Sequence, residues 1–347
     1  MSVAIPPSLA AGLTAGAEAA DTAFDWPARS WDAVVGAGLT RWAIPAEFGG
    51  AGLDSAARLA GYEELAATCL TTAFLLSQQD AAVRLLVRAD TDAVRRRYLP
   101  AAARGEMVLT IGVSQLTTSG QHRPPPVTAR PDGPGFRVDG AVPWVTAADR
   151  ADAIVAGAAL ADGRQILFAL PRGRAGVTVE PPLPLAALRG SRTARVRCSG
   201  VWVAPEDVVA GPRERVLGAG GGGGPDTSAL ALGLVAAALG YLRAEAVARP
   251  GLGEVVRRFE AGREASRAEL HALAVGDPDP NAVLAIRARC TLLALRATQA
   301  ALAAGKGAGF VAPHPAQRWA RQALFFLVWS CPRPTADQLL AELAAAP

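Results

Sequence analysis

The chain has 347 residues, 51% of them apolar and 19% charged, with 35 Lys and Arg against 31 Asp and Glu for a formal charge of +4. A chain of this length can bury roughly three quarters of its unfolded surface and is expected to fold as two or three packed units. The basic residues are scattered among acids and Lys306 is the only lysine, so the charge reads as solubility and argues against nucleic acid as a partner.

Cys69, Cys198, Cys290 and Cys331 form no CxxC pair, and His122, His271 and His314 no HxxxH pair. That spacing argues against zinc, against a disulfide scaffold and against any other histidine metal site. Residues 1–20 are small and apolar without a basic lead, a poor secretory signal. The longest uncharged apolar run, Ala229 to Leu242, stops after 14 residues, short of the ~20 that cross a bilayer. A soluble, cytoplasmic protein without a membrane partner is expected.

In chain order, Asp54 follows a glycine-rich segment and can cap a helix whose apolar positions Leu59, Tyr62, Leu65, Cys69 and Phe74 recur at helical spacing. Asp80 and Asp90-Thr91-Asp92 are further start signals, and Pro100 lies near the last break, so residues 1–105 are predicted to be a helical domain. From Met107 the pattern changes to short β-branched runs. Pro131-Asp132-Gly133-Pro134-Gly135 is a turn between two strands, with more strands at 153–158 and 165–170. Trp144-Val145-Thr146 follows this hairpin and offers an aromatic face and a hydroxyl two residues apart, the first residues expected to hold a ligand. In 193–198, alternation sets Arg195 and Arg197 on a solvated face opposite Val196 and Cys198.

Residues 106–212 are thus predicted to be a β-domain and 213–224 a linker. Gly218 to Gly224 lacks the spaced GxGxxG order and reads as a connection, not a phosphate cradle. Leu232, Val235, Leu239 and Leu242, then Val283, Ile286, Cys290 and Leu293, step by threes and fours, which predicts a helical bundle over 225–347. Between them Leu252 to Val275 forms a helix with a charged face, bounded by Asp277-Pro278-Asp279-Pro280.

Several strings, in order, resemble the acyl-CoA dehydrogenase family over roughly residues 40 to 330. Ile44-Pro45-Ala46-Glu47-Phe48-Gly49-Gly50-Ala51-Gly52-Leu53 is similar to its Pro-Glu-x-x-Gly-Gly-x-Gly segment, and Asp139 to Thr146 to its Asn-Gly-x-Lys-x-Trp-Ile-Thr strand. Val201 to Val208 resembles the stretch that closes its β-domain, and Gly305 to Phe310 its Gly-Gly-x-Gly-Phe/Tyr turn.

The resemblance implies an α+β, mainly α fold: an N-terminal helical domain, a central antiparallel β-domain and a C-terminal four-helix bundle, with FAD between sheet and bundle. Trp144 would cover one side of the flavin and Thr146 would contact its polar edge. Ser114, Gln115 and Ser119 fall on the family's flavin-contacting loop, partly rearranged here. The same register sets Ser330 where most members carry the glutamate that removes the α-proton of an acyl thioester, and Leu230-Ala231-Leu232, the alternative place, holds no acid. A neutral serine cannot replace a carboxylate base.

An Arg-x-x-Phe-Gly string that meets a neighbouring subunit's FAD is missing near Arg249. Arg257 and Arg258 are possible substitutes, though a solvated helix face is the plainer reading. Pro332 stands where a flavin-contacting threonine is usual, and Arg321-Gln322 replaces Arg-Asp. The implied activity is FAD-dependent oxidation of the α–β bond of an acyl thioester in a homodimer or homotetramer. The alternatives are an oxygen-using flavin monooxygenase on the same scaffold, with His122 as a candidate polar group, and a non-catalytic flavin-binding or scaffold protein.

Overall fold

The computed structural model describes residues 4–117, 125–218, 224–276 and 279–345. Helices come first: α1 Pro7–Thr22, α2 Ala28–Gly36, α3 Ser55–Thr68, α4 Leu70–Val87 and α5 Asp92–Ala103. Asp54 caps α3 as its sequence predicts, accepting from the Ala57 N–H at 2.8 Å. The run from Leu59 to Phe74 is two helices, because Cys69 is extended (φ −151°, ψ 102°) between them. Asp80 begins no helix. It lies in the middle of α4, fully buried. Pro100 sits inside α5, which continues to Ala103.

One eight-stranded sheet follows, built from β1 Leu109–Gly112, β2 Val127–Asp132, β3 Gly135–Val145, β4 Ala153–Ala159, β5 Gln165–Pro171, β6 Val177–Val179, β7 Ala194–Val203 and β8 Val208–Arg213. Its order is β6-β7-β3-β2-β4-β5-β8, with β1 pairing β4. The expected hairpin pairs Asp132 with Gly135 across Gly133, whose φ of +57° suits a residue without a Cβ. Arg195 and Arg197 face out while Val196 and Cys198 are buried, as the alternation requires.

The sheet is mixed, which corrects the expectation of an antiparallel domain: β1 runs parallel to β4 over four residue pairs, and Thr128 of β2 pairs in parallel with Ala159. The reason is connectivity. β1 enters directly from the helical layer, and β2 with β3 intervenes before the chain returns to pair with it.

The last part holds α6 Pro225–Ala248, α7 Gly253–Leu273, α8 Pro280–Gly309, α9 Pro315–Phe325 and α10 Arg333–Ala344. α6 is long and apolar enough to cross a bilayer by length and composition, yet half of its apolar stretch is buried inside the protein. It packs chiefly on α3, α7 and α8 and also touches α4 and α9. Where it meets α3, a Cβ on Gly233 would lie 2.4 Å from the Glu63 carbonyl, so this crossing requires glycine. Arg257 and Arg258 pair with Glu254 on the exposed face of α7, a solvated surface. One apolar core runs from α1, α3 and α4 into α6, α8 and α9, so the first and last helical layers share their interior.

Polar clamps cross the same boundary. Glu63, 4% exposed on α3, is met by Arg263 at 3.1 Å, Arg267 at 3.2 Å and His271 at 3.2 Å, three residues on one face of α7. Asp21, fully buried on α1, accepts from the Leu188 N–H at 2.8 Å, the Gln322 amide at 2.9 Å and the Arg321 guanidinium at 2.8 Å. Arg321-Gln322 is thereby a structural pair. Asp21→Ala would strand three donors at once and should cost about 3 kcal/mol, measured as a fall in the urea unfolding free energy. A loss below about 1 kcal/mol would show the junction to be dispensable.

Candidate functional site

A cavity of about 650 Å³ opens where α4, the end of β3, the first turn of α6 and the turn after α9 converge. Trp144, Thr146, Ser114 and Ser330, far apart in sequence, all line it. Gln115 is not among the lining residues. It is 4% exposed and spends its amide on the carbonyls of Gly112 at 3.0 Å and Gly157 at 2.7 Å, holding a 3-10 turn to β4. Ser119 and His122 lie outside the described residues, as do Ala219 to Gly223 of the linker and Asp277-Pro278.

The geometry at Trp144 follows from a bulge. β3 pairs Val142 with Val196 and Val145 with Ala194, so Pro143 and Trp144 together oppose one residue, Arg195. Val145 then points into the sheet's core while the indole of Trp144 stays half-exposed at the cavity. Just beyond the strand, the Thr146 carbonyl accepts from the Thr110 hydroxyl at 2.7 Å. Its own hydroxyl lies 3.4 Å from Thr193 Oγ1, which in turn is 2.9 Å from Ser191 Oγ. Thr193 also lines the cavity, whereas the buried Ser114 Oγ has no protein partner. The wall thus combines a flat aromatic face with hydroxyls able to donate or accept.

Ser330 ends the turn after α9 in a left-handed conformation, φ +44°. Arg287 of α8 holds that turn. Fully buried, it donates to the carbonyls of Phe326 at 2.9 Å and Trp329 at 3.0 Å, and burial lowers its pKa to about 10. It keeps its charge at neutral pH and stabilises the carbonyl-rich end of α9. Trp329 and Phe325 in turn sit against Phe74 of α4, with ring centroids 4.7 and 5.1 Å away.

Sequence reasoning missed the charged part of the wall. Asp226, in the first turn of α6, lines the cavity and pairs with Arg84 of α4 at 2.5 Å. The Pro225-Asp226 helix start was the available signal, but nothing local tells that Arg84 stands opposite. Burial is the largest single influence on Arg84 and lowers its pKa, but Asp226, Tyr62 and Asp80 together outweigh it and hold the guanidinium above its ordinary value. Asp80 is bound to the Tyr62 hydroxyl at 2.6 Å, and burial pushes its carboxyl up to about 7 although that hydrogen bond and Arg84 oppose the rise. Among the described residues no group of three or more metal-ligating side chains assembles.

Residues 9–106 match the family described as acyl-CoA dehydrogenase, N-terminal domain. The chain is 26% identical over 257 residues to a probable acyl-CoA dehydrogenase, YngJ, of Bacillus subtilis, covering 71% of this chain and 67% of that protein. Its fold is that of butyryl-CoA dehydrogenase from Megasphaera elsdenii, with a TM-score of 0.81, 17% identity and 99% of both chains covered. Dibenzothiophene monooxygenase TdsC from Paenibacillus sp. A11-2, also solved with FMN bound, superposes with a TM-score of 0.80 at 19% identity over 97% of this chain and 95% of that one.

The Asp80 shift has a definite sign. Its native pKa of about 7 exceeds the unfolded value of about 3.9, so the stability contributed by the protonated carboxyl is whole below about pH 4. It is lost as pH rises through about 7, at about 1.4 kcal/mol per pH unit between roughly pH 5 and pH 6.5. Asp80→Asn keeps an acceptor for Tyr62 and should flatten that decline in urea unfolding. Equal pH slopes in variant and parent would rule the titration out.

Proposed function

Because the chain belongs to the acyl-CoA dehydrogenase family, we propose that it is a flavin-dependent oxidoreductase acting on an acyl thioester. The supporting observation is the convergence of Trp144, Thr146, Ser114 and Ser330 on one cavity. Its volume suits a small-molecule ligand, and the orphaned Ser114 Oγ and the Thr146–Thr193 hydroxyl pair, on residues that line the same cavity, suit the polar edge of a flavin ring. FAD is the proposed form, and FMN the form reported for one relative. A bound flavin would supply the hydride acceptor for oxidation of a C–H bond.

The chain's own part is to bind, to orient and to exclude water. The indole of Trp144 would cover one face of the ring, and Thr146 and Ser114 would hydrogen-bond its polar atoms. The aromatic group of Phe74, Phe325 and Trp329 would pack on the apolar part of the substrate. Proton removal is where this member departs from expectation. Ser330 occupies the proposed base position, and Asp226, the one carboxylate among the described residues of the wall, is tied to Arg84.

The same observation supports a second reading, an oxygen-using flavin enzyme, whose chemistry needs no α-proton acceptor. Exposed apolar side chains on the bundle, among them Phe310, Val311, Leu324, Val328 and Leu340, support a homodimer or homotetramer. The three buried free thiols suit the cytoplasm.

Titration of the purified chain with FAD and with FMN should give a bound-flavin spectrum, and Trp144→Ala should weaken that binding by about tenfold. Acyl-CoAs added without oxygen should bleach the flavin slowly. No uptake of either flavin would overturn the proposal. Substrate-dependent oxygen consumption without anaerobic bleaching would favour the second reading.

A further inference from the structure

We infer that the end of the cavity framed by Arg84, Arg88 and Asp226 is a subsite for one anionic oxygen group carried by the bound thioester. This rests on the acyl-thioester reading above. Phe74, Ser77, Ala81, Arg84 and Arg88 all line the cavity and recur at spacings of three and four. They form one stripe of α4 about 21 Å long at 1.5 Å per residue. Polarity changes along that stripe. Phe74 faces the rings of Phe325 and Trp329, while Arg84 and Arg88 stand at the opposite end with Asp226.

The charges there do not balance. Arg84 is paired with Asp226, and its Nη1 is buried without a partner. Arg88 is exposed at the end of α4 and forms no ion pair among the described residues. Two guanidinium groups against one carboxylate leave one positive charge in the wall. The groups packed behind Arg84 do not cancel it, because Asp80 is hydrogen-bonded to the Tyr62 phenol and has the cation Arg58 near it. A carboxylate or phosphate group would restore neutrality, and the planar donor array of arginine suits both. Asp226 keeps Arg84 in place for that contact.

Two sources carry such a group, a carboxylate at the far end of the acyl chain or a phosphate of the thioester's carrier. Calorimetric binding to the full-length chain separates them, using saturated and ω-carboxylated acyl thioesters of matched length, each made with coenzyme A and with phosphate-free pantetheine. If the acyl carboxylate is received, the ω-carboxylated ligands bind about tenfold or more tightly with either carrier, and Arg84→Gln and Arg88→Gln each erode that preference. If a phosphate is received, coenzyme A esters outbind pantetheine esters by a similar factor, and the same variants remove that difference.

The double variant Arg84→Gln with Asp226→Asn removes both charges of the pair and keeps the test usable should the single Arg84 change fail to fold. Affinities indifferent to both anionic groups would overturn the subsite and leave the thioester reading intact. Failure of every thioester to bind would instead overturn that reading.

Discussion

A single carboxylate with no solvent contact holds the three parts of this protein in register. Asp21 leaves the first helix and takes a backbone donor from the β-layer at Leu188 and two side-chain donors from α9. Burying a charge is unfavourable unless its lone pairs are filled, so the geometry is fixed by necessity: all three layers must be present for Asp21 to be satisfied. Beside it, Arg318, 8% exposed on its side chain, pairs with Glu18. α9 therefore reaches the cavity with its orientation already decided from the other end.

The turn after α9 shows how that orientation is used. Arg287 reads two carbonyls of this turn from within the bundle, and the next residue, Ser330, is held in left-handed backbone at the cavity wall. Catalytic pockets depend on such support, since a wall residue is only as well positioned as the contacts behind it. Here the supporting group is a cation without an acidic partner among the described residues, held by the Thr291 hydroxyl, by helix-end carbonyls and by the Phe326 ring 5.7 Å away, while its Nε stays buried without a hydrogen bond.

Much of this architecture is legible in the letters because local patterns are strong. The Asp54 cap, the 131–135 turn and the alternation of 193–198 each report their own structure without reference to the rest of the chain. The break at Cys69 is not legible, since apolar spacing continues across it, and Asp80 mimics a helix start because its tertiary partner, Tyr62, lies 18 residues away. Parallel pairing of β1 is invisible for the same reason. At the site, Trp144 stands out as an aromatic beside a hydroxyl, whereas Arg84 and Asp226 are 142 residues apart and nothing near either one marks it as lining a cavity. Gln115 shows the converse, a polar residue in a suggestive loop whose amide is consumed by backbone carbonyls.

The helix at the centre of the bundle has a consequence for how the protein comes into being. α6 has apolar residues on every side and makes its contacts with α3, which the ribosome has already released, and with α8, which it has not yet made. During synthesis this segment is therefore made before the helices that complete its cover, and it resembles in composition the segments that membrane insertion machinery and holding chaperones recognise. Its escape from both depends on how soon the helices that follow arrive to wrap it.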